Sequence, residues 1–116
     1  MAKKIMVVDD DPVIVKYLTS LFKNNGYEIC SASNGVEAYE VFEKEKPDLI
    51  TLDLDMPDEW GPKFYRKLTK KLRAKIPVIV ISGLSGNKYA ISNAAATITK
   101  PFEEKEVLSV VKDVIG

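Results

Sequence analysis

Histidine is absent from the 116-residue chain, and cysteine occurs once. Without histidine, a Ser-His-Asp or Cys-His nucleophile, a histidine-ligated zinc site and a phosphohistidine carrier are all excluded. The lone cysteine, Cys30, cannot form a disulfide within the chain, which fits a reducing compartment. Any chemistry must therefore use carboxylates, lysines and hydroxyl groups.

Net charge and long apolar runs are also lacking. Lysine plus arginine and aspartate plus glutamate each number 17, so the net charge is zero. Because binders of nucleic acid or anionic membranes usually carry a basic excess, we expect neither partner. The longest apolar stretches are about six residues, far below a membrane span, and we see no signal peptide. We therefore expect one cytoplasmic domain over residues 1–116.

Short apolar runs alternate with helical patterns along the whole chain. Continuous β-rich runs predict buried strands at 5–8, 49–52 and 76–81, and weaker candidates lie at 27–30 and 96–99. Alternating strands and helices predict an α/β fold with helices on both faces of a parallel sheet. Five strands and right-handed crossovers favour a flavodoxin-like (βα)5 doubly wound sheet in the order 2-1-3-4-5.

Five helices are predicted between and after these strands. The first has Asp11 as N-cap and stops at 25–26, and the second starts at Asn34 with Glu37 in capping-box spacing. The apolar face of the first comprises Val13, Ile14, Tyr17, Leu18, Leu21 and Phe22. The other three are marked by Phe64, Leu68 and Leu72, by a shortened pattern at 87–94, and by Val107, Leu108, Val111, Val114 and Ile115.

Polar residues follow four of the predicted strands, at the edge where open parallel sheets bind ligands. They are Asp9, Asp10 and Asp11, then Asp53 and Asp55, then Ser82, then Lys100. Because the first and third strands are neighbours in the predicted order, at least three carboxylates meet there and repel one another. A divalent cation relieves the repulsion, and oxygen ligands suit Mg²⁺ or Mn²⁺ rather than zinc. A metal, a lysine and a hydroxyl around one carboxylate predict a site that holds a phosphoryl group.

With these segments in this order, the chain resembles a receiver domain of the two-component response regulators, the CheY-like family. The resemblance covers the whole chain. The segments that carry it are 5–12, 52–57 with Gly61, 81–83 and 100–102.

The resemblance assigns a role to each acidic residue of the site. It implies that Asp53 is the phosphoacceptor and also a metal ligand. It implies that Asp9 and Asp10 form the acidic pair of the Mg²⁺ (or Mn²⁺) site, and that the backbone carbonyl of Asp55 is a further ligand.

The resemblance also implies a switch. Ser82 and Lys100 would bond the phosphoryl group, and the Lys100–Pro101 bond is expected to be cis. Thr97 stands where the family usually has an aromatic switch residue, so the usual coupling between hydroxyl and aromatic ring is altered here.

The function implied is phosphorelay signal transduction. The phosphoryl group would come from a histidine kinase or histidine phosphotransfer protein, and phosphorylation would change binding to a downstream protein target. The chain is expected to act as a switch rather than an enzyme, catalysing its own phosphorylation and dephosphorylation.

Two alternatives stay open at this point. One is a degenerate receiver that binds partner proteins without being phosphorylated. The other is a Mg²⁺-dependent phosphatase in which Asp53 and Asp55 form a DxD pair, although such enzymes place the pair after their first strand and need a larger chain.

Overall fold

The computed structural model describes residues 2–55, 63–64, 66, 76–83 and 94–116. Within these ranges five strands and three helices have defined bounds. The strands are β1 (Lys4–Val8), β2 (Glu28–Ala32), β3 (Leu49–Leu52), β4 (Val78–Ser82) and β5 (Ala96–Thr99). The helices are α1 (Pro12–Asn24), α2 (Gly35–Glu45) and α3 (Glu104–Ile115).

The five strands form one parallel sheet in the order β2-β1-β3-β4-β5, which confirms the predicted topology. Val8 lies opposite Leu52 in the central pair, and Ser82 lies opposite Thr99 in the outer pair. The residues that follow β1, β3 and β5 therefore emerge at the same edge of the sheet.

Side chains of the strands alternate between two cores, one on each face of the sheet. Met6 packs with Phe42 of α2 in one core. Val7 packs with Phe22 of α1 and Val111 of α3 in the other. The helices thus lie on both faces, as a doubly wound fold requires.

Local capping residues set the starts of α1 and α2. Asp11 Oδ1 accepts a hydrogen bond from the Val13 amide at 2.9 Å, and Asn34 Oδ1 accepts one from the Glu37 amide at 2.8 Å. Glu37 Oε1 in turn accepts from the Ser33 amide at 3.0 Å, which completes a capping box. Both predicted starts are confirmed, and α1 begins directly after the three acidic residues that follow β1.

Two strands are shifted relative to the prediction. β2 begins at Glu28 because the Tyr27 amide still bonds the Phe22 carbonyl, at 3.1 Å, in the turn after α1. It continues to Ala32 because Val8 of β1 still offers a partner there. β4 runs from Val78 to Ser82 rather than over the predicted 76–81, so it starts two residues later and includes Ser82, which the prediction placed just after the strand.

The apolar face of α1 is narrower than its sequence pattern suggested. Leu18, Leu21 and Phe22 are buried, but Val13 is 72% exposed and Tyr17 is 41% exposed. Positions four residues apart lie above one another on a helix, so these two form a row along the flank of the buried stripe.

The remaining three predicted helices lie in the second half of the chain. Phe64 is helical and buried, whereas Leu68, Leu72 and the shortened fourth helix at 87–94 lie outside the described residues. The last predicted helix is observed as α3. No helix in the described part of the chain is long and apolar enough to cross a membrane.

Thr51 provides a test of the packing in the centre of the sheet. Its hydroxyl is buried between Val7 and Ile79 and has no hydrogen-bond partner among the described residues. Because such a group costs roughly 1–3 kcal/mol, Thr51→Val is expected to raise the free energy of unfolding in urea by about 1 kcal/mol. The exposed Thr97→Val is the control, with an expected change below about 0.5 kcal/mol. A destabilised Thr51→Val protein would contradict this packing.

Candidate functional site

Three carboxylates meet at the carboxyl edge of the sheet, as the sequence predicted. One oxygen each of Asp9, Asp10 and Asp53 can be chosen so that all three lie within 4.8 Å of one another. Asp9 and Asp53 are 2% and 3% exposed, whereas Asp10 is exposed. The cluster therefore consists of two buried acids and one solvent-exposed acid.

Asp53 is held by donors from two directions. The Ser82 hydroxyl donates to its Oδ1 at 2.9 Å, and the Asp55 amide donates to the same oxygen at 3.0 Å. The Asp53 amide bonds the Val8 carbonyl at 2.9 Å, which ties the end of β3 to the end of β1. The Asp53 carboxylate is therefore oriented before any ligand arrives.

Lys100 links the two buried acids. Its Nζ donates to Asp9 Oδ2 at 2.7 Å and lies 3.7 Å from Asp53 Oδ2. The Lys100 backbone is fixed as well, since its amide donates to the Ser82 carbonyl at 2.8 Å. The Lys100–Pro101 bond is cis, as the resemblance implied. The Lys100 ammonium group thus lies close to both buried carboxylates.

The charge balance of the site is reflected in the pKa of Asp9. Burial raises the pKa of Asp9 to about 6, and the Asp53 charge adds to that rise, while the Lys100 and Asp11 amide hydrogen bonds oppose it. Burial lowers the pKa of Lys100, but its bond to Asp9 and the Asp53 charge outweigh burial and raise it overall. Lys100 therefore compensates only part of the desolvation and repulsion of the acids.

The donor set fits a hard divalent cation. Carboxylate oxygens are the ligands that Mg²⁺ and Mn²⁺ prefer, and such ions usually retain water molecules. The exposed position of Asp10 leaves one side of the cluster open to water. The acidic cluster is therefore compatible with a metal site of this kind.

Two predicted site residues are not members of the three-carboxylate cluster. Asp55 is exposed, and its amide bonds Asp53, while the metal-binding role of its carbonyl stays a prediction. Thr97 is exposed on β5 opposite Val80, and among the described residues its side chain makes no hydrogen bond to the cluster. Its switch role also stays a prediction.

Sequence reasoning missed an aromatic contact beside Lys100. The rings of Tyr17 on α1 and Phe102 lie with centroids 5.8 Å apart and tilted by 47°. Phe102, directly after Lys100 and Pro101, is a usable signal in the sequence, but the apolar pattern of α1 places Tyr17 on the buried face of the helix. The contact joins α1 to the segment that carries the lysine.

The chain is similar to proteins of one family along its length. A model of the response regulator receiver domain matches residues 5–112. The chain is 37% identical over 112 residues to protein Rrf1 of Nitratidesulfovibrio vulgaris, covering 96% of this chain and 81% of that protein. It is 34% identical over 119 residues to the alkaline phosphatase synthesis transcriptional regulatory protein PhoP of Bacillus subtilis, covering 99% of this chain and 49% of that one. It thus spans about half the length of that relative.

A solved structure shows the same arrangement of elements. The response regulator receiver domain protein (CheY-like) of Methanospirillum hungatei superposes with a TM-score of 0.88 at 28% identity. The match covers 98% of this chain and 94% of that chain. The fold and its whole strand order are therefore shared with a known receiver domain.

The raised pKa of Asp9 predicts how stability depends on pH without divalent cations. Since its folded pKa is about 6 and its ordinary value is 3.8, the folded chain binds the extra proton between these limits. The Asp9 contribution to the free energy of unfolding therefore increases by about 3 kcal/mol as pH falls through this window.

Asp9→Asn removes this titrating charge, so it is expected to be more stable than the wild type at pH 7.5, with a difference that shrinks toward pH 5. Urea unfolding in a chelating buffer measures both. Asp113→Asn, at an exposed position of α3, is the matched control and should show no such trend. An Asp9→Asn protein that is less stable at pH 7.5 would contradict the assigned charge balance.

Proposed function

Because the chain belongs to the response regulator receiver family, we propose that Asp53 accepts a phosphoryl group in a phosphorelay. The donor would be a phosphohistidine on a histidine kinase or histidine phosphotransfer protein. One observation carries the proposal: a buried, oriented Asp53 carboxylate lies between the Ser82 hydroxyl and the Lys100 ammonium, beside two further acids.

The proposed transfer is a nucleophilic displacement at phosphorus. A carboxylate oxygen of Asp53 attacks, the new P–O bond forms, and the P–N bond to the donor imidazole breaks. The imidazole leaves with the electron pair and takes up a proton from solvent. The Ser82 hydroxyl and the Asp55 amide hold the carboxylate in place, so little reorganisation precedes the attack.

Lys100 would stabilise the charge that moves during the transfer. Its Nζ lies 3.7 Å from Asp53 Oδ2, close enough to contact oxygens of a phosphoryl group bound to that residue. A fixed positive charge in a partly buried pocket is more effective than one in water, because the solvent does not screen it.

We propose that Asp9, Asp10 and Asp53, with the backbone carbonyl of Asp55, hold the Mg²⁺ or Mn²⁺ ion. The bound ion supplies further positive charge for the phosphoryl oxygens. The approach of three carboxylates within 4.8 Å and the raised pKa of Asp9 support this assignment, since both indicate unrelieved negative charge.

The proposed output is a change in the face formed by β4 and β5. A phosphoryl group on Asp53 would attract the Ser82 hydroxyl away from Oδ1. The Ser82 backbone carbonyl accepts a hydrogen bond from the Lys100 amide at 2.8 Å, and Ser82 lies opposite Thr99, so a shift of the Ser82 backbone that accompanies this movement would be transmitted to β5. Thr97, exposed on the same strand, would lie within this changing surface, where a downstream protein target would bind.

We further propose that the chain is a switch and turns over no substrate beyond its own phosphoryl group. Phosphorylation without a protein donor therefore provides the simplest assay, with acetyl phosphate as donor in the presence of Mg²⁺.

Asp53→Asn is expected to abolish the mass increase of one phosphoryl group that the wild type gains from acetyl phosphate and Mg²⁺. The amide that replaces the carboxylate is a far weaker nucleophile, although it keeps the shape of the side chain. Intact mass spectrometry measures the gain, and Asp113→Asn is the control that should label normally. Equal labelling of Asp53→Asn would refute the assignment, and turnover of a phosphomonoester that requires Asp55 would favour the phosphatase alternative.

Lys100→Ala is expected to slow labelling by acetyl phosphate at least about tenfold, because a fixed positive charge at the transferring group is lost. Lys105→Ala, on the exposed side of α3, is the matched control and should label at the wild-type rate. The two initial rates are compared at one Mg²⁺ concentration. If Lys100→Ala labels as fast as Lys105→Ala, the lysine does not act on the transferring group.

A further inference from the structure

A contact between two aromatic rings lies beside the site, between α1 and the segment after β5. The rings of Tyr17 and Phe102 are in contact at a centroid distance of 5.8 Å. A cavity of about 260 Å³ lies at this contact, lined by Val13, Ile14, Tyr17, Lys100, Pro101 and Phe102. The wall of the cavity therefore includes the lysine that bonds Asp9.

Tyr17 lies outside the buried face of α1. It is 41% exposed on the flank of α1 and outside the buried stripe of that helix, so core packing does not account for it. Among the described aromatic rings its contact is with Phe102. The position of the ring is thus explained by the segment it touches rather than by the core.

Among the described residues, the backbone of the segment that Tyr17 touches is tied to the sheet just before Pro101. The Lys100 amide is fixed to the Ser82 carbonyl at 2.8 Å, and α3 begins at Glu104 without a side-chain cap. Between those points the Phe102 side chain packs against one core and also contacts the Tyr17 ring.

The lysine needs such support because its side chain is long and flexible. A free lysine loses roughly 2 kcal/mol of rotamer entropy when its ammonium is fixed. The Lys100 side chain is 22% exposed and still reaches Asp9 at 2.7 Å, so it is already ordered. Apolar groups lining the cavity limit the paths that its methylene stem can take.

We infer that Tyr17 is a positioning residue: through its contact with Phe102 it holds the segment at which Lys100 is placed over Asp9 and Asp53. This inference rests on the proposed function, because its consequence is a faster phosphoryl transfer to Asp53. It assigns to α1 a second contribution to the site, in addition to the cap residue Asp11.

The test is a double-mutant cycle on the initial rate of labelling by acetyl phosphate with Mg²⁺. Tyr17→Ala is expected to slow labelling about fivefold, the factor that about 1 kcal/mol of ring contact produces. In the Lys100→Ala background the same substitution should change the rate by less than about twofold, because the group it positions is gone. Tyr17→Phe keeps the ring and should label at the wild-type rate.

Two further variants distinguish a positioning role of Tyr17 from a general role of this residue in folding. Tyr27→Ala removes the other aromatic partner of α1, the ring that meets Phe22 edge-on at 6.3 Å, and should not slow labelling while the protein is folded. Phe102→Leu keeps apolar bulk but removes the ring contact, so it should reproduce the Tyr17→Ala effect even if that variant folds poorly. Circular dichroism confirms folding of each protein.

The inference is overturned if Tyr17→Ala and Phe102→Leu label at the wild-type rate, or if Tyr17→Ala slows both backgrounds equally. A Tyr17→Phe protein as slow as Tyr17→Ala would also overturn it, since the hydroxyl would then be the active group. These results leave the proposed function intact as long as the wild type labels on Asp53. A wild type that does not label there removes the proposed function itself.

Discussion

The site depends on two carboxylates, Asp9 and Asp53, that are buried side by side at the edge of the sheet. Burial alone disfavours each charge, and their proximity disfavours both charges together. Lys100 bonds Asp9 at 2.7 Å, yet the pKa of Asp9 remains raised to about 6. The folded chain therefore keeps an excess of negative charge at one point, and under the proposed function a bound divalent cation would relieve it.

The sheet makes this arrangement unavoidable once the strands pair. Asp9 and Asp53 follow β1 and β3, which are adjacent and parallel, so the two acids emerge as neighbours. Ser82 ends β4 on the far side of β3, and Lys100 follows β5. Apolar side chains on both faces hold the strands in place, and the acids themselves add nothing favourable to that packing. The packing of the two cores thus offsets the unfavourable free energy of burying two carboxylates side by side.

The strand order and the convergence of polar residues at the strand ends could be predicted from the sequence, because both follow from general rules of α/β folds. Runs of apolar residues identified the central strands, and right-handed crossovers reduced the possible orders, so the meeting of Asp9, Asp10 and Asp53 was expected. Caps such as Asp11 and Asn34 act through neighbours a few residues away, which is why the helix starts were correct. These features depend on local chemistry or on topology alone.

Other features depend on how elements pack, and the sequence pattern does not contain that information. Tyr17 fits the apolar period of α1, but the helix turns its flank toward Phe102 rather than into the core. β2 extends to Ala32 because β1 still offers a partner there, which a single-strand pattern cannot reveal. The buried Thr51 hydroxyl is likewise set by its neighbours in the sheet.

We propose that the excess charge at this edge makes Asp53 a cation-dependent phosphoryl acceptor. Peptide mapping of the wild-type chain by tandem mass spectrometry, after acetyl phosphate treatment with Mg²⁺ or with a chelator, tests it most directly. We expect Asp53 to be modified in the Mg²⁺ sample and little modified in the chelated one. Modification at another residue, or the same yield on Asp53 without the cation, would contradict it.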